Sequence, residues 1–158
     1  MQNRFTLTKQ YIMSENKTSI RGIEQNRANQ AYKFAEAGKA LGGKTAKEYK
    51  AYVKRIPMII KTNGLGATFA FVLAKGKRNK SNAYGLIYTQ VTNWFAENRK
   101  YLMDIQAGED LTEYIINLDS AKYRAVTVEV LALFQWMRRF AEGLITEDEG
   151  NNNQNQTA

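Results

Sequence analysis

The 158-residue chain contains no cysteine, no histidine and a single proline, Pro57. The first absence excludes disulfides, Cys-ligated zinc and thiol nucleophiles. The second removes the side chain best matched to proton transfer near neutral pH, and with it any Ser-His-Asp arrangement. One proline predicts long helices, because proline is the main helix breaker. Long apolar runs are missing too. No stretch approaches the roughly 20 apolar residues of a membrane span, and the N-terminus has no signal-peptide apolar region. The expectation is a cytoplasmic protein that needs no oxidising compartment.

Acidic residues are scarce in one half. Residues 19–80 hold 14 Lys/Arg against 3 Asp/Glu, whereas residues 81–145 hold 6 against 8. The net charge of +8 is therefore concentrated rather than spread. Such asymmetry predicts one basic face and an anionic polymer as partner.

What is present reads as helix. Residues 1–18 show no sustained period and are expected to form a mobile arm, with a short strand over 4–8 as an alternative. Ser19 is a candidate cap for a helix to about Leu41, with Ile23, Ala31, Phe34, Ala35 and Gly38 on its apolar side and Gly42-Gly43 as its stop. Thr45 with Glu48 has the spacing of a capping box for a second helix. There Tyr49, Tyr52, Val53, Ile56 and Ile60 make one apolar stripe. Lys47, Lys50, Lys54 and, past a kink expected at Pro57, Lys61 fall roughly opposite it. Asn63 is expected to cap a third helix whose Leu65–Ala74 run is apolar nearly all round, as in a central helix. Lys75-Gly76-Lys77-Arg78-Asn79-Lys80 reads as a basic loop. A fourth helix from Ser81 or Asn82 to about Leu102, a short one behind Asp110, and a last one from Asp119 to about Gly143 complete the order. Residues 146–158, acidic and then Asn/Gln-rich, are expected to be disordered. The prediction is an all-α, single-domain bundle of about six helices over 19–145, with a kinked central helical hairpin.

Chemistry has few places to sit. Glu109, Asp110 and Glu113 read as helix-N-terminal charges, Asp104 and Asp119 stand alone, and no catalytic or metal site is predicted. Asn63-Gly64-Leu65-Gly66, next to Lys61, looks superficially like a phosphate cradle. It lacks the Gly-Lys-Ser/Thr ending and the preceding strand of a P-loop, so a helix-to-helix turn is the better reading. Trp94 and Trp136 border core stripes and are expected to be buried. No cofactor is implied. The remaining candidates are basic: Lys47, Lys50, Lys54, Arg55, Lys61, Lys75, Lys77, Arg78, Lys80, Arg138 and Arg139. Residues of this kind bind phosphates with strong salt dependence and little sequence preference.

Several blocks together resemble the small subunit of type III-B CRISPR effector (Cmr) complexes. They are Arg27-Ala28 with Ala31-Tyr32; Tyr49 and Val53-Lys54-Arg55-Ile56-Pro57; Asn63-Gly64-Leu65-Gly66-Ala67-Thr68-Phe69-Ala70-Phe71; and Ser120-Ala121-Lys122-Tyr123-Arg124 with Leu133-Phe134-Gln135-Trp136-Met137-Arg138-Arg139-Phe140-Ala141-Glu142. The likeness covers about residues 20–145. It implies an all-helical protein of antiviral defence with no activity of its own. It also implies that copies stack along a ribonucleoprotein filament beside the backbone subunits and help form the groove for guide RNA and target RNA. Outside the resemblance, the residues leave open a small metal-dependent nuclease or a helical DNA-binding regulator using the 56–75 segment.

Overall fold

A computed structural model describes the backbone of residues 4–147 and the side chains of residues 20–147. Its six helices are α1 (Arg4–Ala40), α2 (Gly43–Asn63), α3 (Leu65–Gly76), α4 (Ala83–Asn98), α5 (Leu111–Ile116) and α6 (Ser120–Leu144). No strand occurs among the described residues. The long outer helix α1 packs mainly along α6, α2 lies against α6 and α4, and α3 against α4 and α5. No helix among the described residues is long and apolar enough to cross a membrane.

The core forms where the helical period places it. Ala31, Phe34 and Ala35 of α1, and Tyr49, Val53, Ile56 and Ile60 of α2, are buried. So are Leu65, Phe69 and Val72 of α3, and Val126, Val130, Leu133, Phe134 and Met137 of α6. Tyr49 brings a hydroxyl into this interior. It lies 2.8 Å from Oε1 of Gln90 and 3.1 Å from the Phe34 carbonyl, to which Gln90 also donates at 3.0 Å. A buried polar group needs such partners to avoid the full desolvation cost.

Helix ends divide into those the sequence marks and those it does not. Asn82 accepts from the Tyr84 and Gly85 amides, Asp110 from Thr112 and Glu113, and Asp119 from Lys122. These three side-chain caps satisfy otherwise unpaired amides. Thr45 does not cap: α2 starts two residues earlier, behind Gly42, and Glu48 pairs with Lys44 at 3.8 Å instead. Nor does Asn63. Gly64, at φ 88°, both ends α2 and precedes α3, a left-handed conformation that glycine adopts without steric cost. The cap of α3 comes from elsewhere in the chain, as the Gly66 amide donates to the Tyr123 hydroxyl of α6 at 3.0 Å.

Three other expectations change. α1 begins at Arg4, so residues 4–8 are helical and Ser19 lies inside the helix. Residues 1–3 and 148–158, which include most of the tail expected to be disordered, lie outside the described residues. Pro57 lies inside α2, which runs as one helix from Gly43 to Asn63, as expected, and withholds one backbone bond there. α4 stops at Asn98 rather than Leu102, because Arg99 leaves helical geometry (φ −136°) and turns its guanidinium inward. And α3 is not central all round: Ala67, Ala70, Phe71 and Ala74 are exposed. A β-carbon on Gly76 would stand 2.2 Å from the Gly85 nitrogen, so the end of α3 crosses the start of α4 backbone to backbone.

Candidate nucleic-acid interface

The eleven basic candidates do not form one stripe. They separate into groups with different surroundings. The first lies along the seam between α2 and the end of α6. Lys47 and Lys50 approach Glu147 at 3.9 and 3.8 Å, and Lys54 lies 3.3 Å from Glu142. Arg138 shares Glu142 at 3.4 Å. Lys50 also donates to the Ile145 carbonyl at 3.0 Å, and its side chain is only 20% exposed. Lys50 is therefore largely covered, whereas Lys47 and Lys54 stay more exposed, as the period predicts, but with carboxylates beside them. The last turn of α6 and the residues after it lie beside them and supply acids. The Lys54 hydrogen bond, together with Arg138, holds the Glu142 carboxyl below its ordinary range.

A second group borders aromatic rings. Arg55 donates to the Tyr84 hydroxyl at 2.7 Å and lies 5.7 Å from the centre of the Tyr52 ring. The Lys75 ammonium sits 5.9 Å from the Phe71 ring centre. Neither has a carboxylate within ion-pair distance among the described residues, and the same holds for Lys61, Lys77 and Lys80.

Arg78 goes a third way. Together with Lys77 it adopts positive φ in the α3–α4 connection. Its guanidinium reaches Asp110 at 3.3 Å and the Gly108 carbonyl at 3.2 Å, beside the Tyr88 ring. Asp110 is also the cap of α5 and accepts from the Tyr88 hydroxyl at 2.7 Å. That bond, then the amides and Arg78, keep its carboxyl below the ordinary range despite burial. Arg139 stands over the Trp136 ring at 5.7 Å. Trp136 is half-buried rather than buried: it stacks on Phe140, which meets the exposed Tyr32 edge-on. Trp94 is fully buried.

The acidic residues are occupied locally. Glu109 accepts from the Gln106 amide and the Tyr114 hydroxyl, both at 2.8 Å. Among the described residues no three Asp, Glu, His or Cys converge on a point that could hold a metal ion. At the Asn-Gly-Leu-Gly turn the Gly66 amide is already taken by Tyr123, which fits a helix junction rather than a phosphate cradle.

One charged assembly escaped the sequence reading altogether. Glu129, buried on α6, receives Arg27 of α1 through both oxygens, at 3.2 and 2.8 Å. Its Oε1 also accepts from Trp94 at 3.0 Å and from Arg99 at 3.2 Å. Arg27 is paired in addition with Glu24, and Arg99 lies over the Trp94 ring at 4.5 Å. Burial pushes the Glu129 carboxyl up. The bonds and charges of Arg27, the charge of Arg99 and the Trp94 indole outweigh it and hold the group below its ordinary range. A signal existed: Glu129 sits between Val126 and Val130 on the apolar stripe, and Arg27 between Ile23 and Ala31. A charge on a buried stripe needs a partner.

Comparison with known proteins bears on about three quarters of the chain. The family described as CRISPR-associated protein (Cas_Cmr5) matches residues 23–144. The CRISPR system Cmr subunit Cmr5 of Thermus thermophilus is 31% identical over 121 residues, covering 76% of this chain and 93% of that one. The crystal structure of a CRISPR-associated Cmr5 family protein from Thermus thermophilus aligns with a TM-score of 0.58 at 27% identity, over 78% of this chain and 96% of its own. The six-helix fold and the sequence match over its core lead to one conclusion: the chain belongs to the Cmr5 family of CRISPR-associated proteins.

Proposed function

We propose that this chain is the non-catalytic small subunit of a type III-B CRISPR effector complex in the cytoplasm. It joins the backbone and other subunits, stacks with copies of itself, and lines the groove for guide and target RNA with basic side chains. The observation that carries this reading is the family match over residues 23–144, together with the likeness to a Cmr subunit over 93% of that protein's length. The concentration of positive charge in residues 19–80 supports the RNA contacts.

The contacts are phosphate contacts from Lys47, Lys50, Lys54, Arg55, Lys61, Lys75, Lys77, Arg78, Lys80, Arg138 and Arg139. They are unequal. Lys61, Lys77 and Lys80 offer charge at once, whereas Lys47, Lys54, Arg78 and Arg138 first exchange a carboxylate for phosphate. Exposed pairs of this kind are weak enough to yield.

The test is fluorescence anisotropy of the full chain with labelled single-stranded RNA across a salt series. Binding is expected to be weak, nearly independent of sequence, and to fall steeply with salt. Reversing Lys61 and Lys80 to Glu lowers affinity more than reversing Lys47 and Lys54, with no loss of thermal stability in either. Salt-independent binding, a preference for one duplex DNA sequence, or RNA cleavage with Mg²⁺ or Mn²⁺ defeats the reading. Co-purification of the tagged chain with a guide-length RNA and the other subunits tests the assembly directly.

A further inference from the structure

The apolar pattern places Tyr52 and Tyr84 on core stripes and Phe71 on an all-round apolar helix. The fold keeps Tyr84 in the core and Tyr52 half-buried against it, but it exposes Phe71. The Tyr52 and Tyr84 rings stack, centroids 3.8 Å apart and planes within 10°. Phe71 meets Tyr84 edge-on at 5.5 Å. This ladder joins α2, α3 and α4 and comes to the surface: Tyr84 is buried, Tyr52 is half-buried and Phe71 is 36% exposed. Around Phe71 the surface of α3 is low, made of exposed Ala67, Ala70 and Ala74.

We infer that this ladder, with Arg55 and Lys75 at its edges, is a stacking site for bases of single-stranded RNA. The inference rests on the RNA-binding reading above and adds a base-contacting element to it. Three observations favour RNA over a protein partner. The three contiguous rings are flanked by cations, Arg55 beside Tyr52 and Lys75 beside Phe71, as the bases of a strand are flanked by its phosphates. Arg55 is tied only to a neutral hydroxyl, which leaves most of its guanidinium N–H groups free for phosphate oxygens. Glu48, one turn before Tyr52, is already paired with Lys44 at 3.8 Å. Aromatic platforms beside a positive groove are how proteins hold single strands without reading sequence, since every base has a π-face.

The experiment uses the full chain and two labelled probes of equal charge: a single-stranded oligouridylate and its abasic counterpart. The wild type binds the oligouridylate more tightly than the abasic probe. Phe71→Leu keeps apolar bulk but loses the π-face. It weakens oligouridylate binding about tenfold, leaves abasic binding unchanged, and melts with the wild type. Phe71→Trp restores the preference. Arg55→Gln weakens both probes and reduces the salt slope by roughly one phosphate contact. If Phe71→Leu binds both probes as the wild type does, the stacking site is refuted while RNA binding stands, and the patch is a protein-docking surface. If the wild type binds neither probe at low salt, the RNA-binding reading itself fails and the inference goes with it.

Discussion

Glu129 and Glu142 stand on the same helix, and each holds two cations, yet they do different work. Glu129 joins Arg27 and Arg99 in the interior, where its side chain is 9% exposed. Glu142 joins Lys54 and Arg138 at the α2–α6 seam, where it is 38% exposed. In the interior the partners have no water to fall back on, so each must be satisfied by protein and the geometry becomes obligatory. At the seam water solvates either partner and salt screens both, so the pairs are replaceable. The first assembly holds α1 and the end of α4 against α6. The second leaves its cations free to change partner. Positive charge in this chain is thus of two kinds, and only the exposed kind is open to an anionic polymer.

The largest break in that comparison is Glu129→Ala. It strands the buried Arg99 guanidinium, leaves Arg27 with Glu24 alone, and is expected to lower the unfolding free energy by about 3–5 kcal/mol, read by urea denaturation. Arg99→Met is milder, about 1–3 kcal/mol. It leaves Arg27 on Glu129 and removes a buried Nη2 that has no hydrogen-bond partner among the described residues. A cost for Arg99→Met equal to that for Glu129→Ala shows that the cation–π contact with Trp94, not the carboxylate, organises this region.

Acid acts on the same contrast. Glu129 is held below its ordinary pKa of 4.5. The stability it contributes is therefore complete above that value and is lost as pH falls through the lower folded value. Thermal melts are expected to decline below about pH 4.5, and less steeply in Glu129→Gln than in the wild type. Equal slopes assign the decline to Glu109, Asp110 and Glu142, whose carboxyls are also depressed.

The smallest expected effect lies at the seam. Glu142→Gln leaves the melting temperature essentially unmoved while releasing Lys54 and Arg138. RNA affinity at low salt rises severalfold. Unaltered affinity removes the seam from the RNA surface and leaves the contacts to Lys61, Lys77, Lys80 and the Phe71 ladder.

Much of the fold was legible because it depends on local rules. The caps at Asn82, Asp110 and Asp119 are short polar side chains at a helix entrance. The stripes of α2 and α6 are apolar residues at helical spacing. One misread end has a remote partner: nothing near Gly66 announces Tyr123, 57 residues later. The candidate interface was legible as chemistry but not as geometry. Lys47, Lys50 and Lys54 do share a side of α2, but only packing brings Glu142 and Glu147 to that side. Phe71 counted as core because its helix is apolar all round, and the structure exposes it because α3 is covered on one face only.

The sequence by itself determined the all-helical class, the missing cysteine and histidine chemistry and the one-sided charge, because composition and periodicity are properties of the chain. Tertiary structure alone decided which charges are spent inside, which are paired at a seam and which remain open. Those outcomes depend on residues far apart in sequence meeting within a few ångströms, and on the water that their meeting excludes.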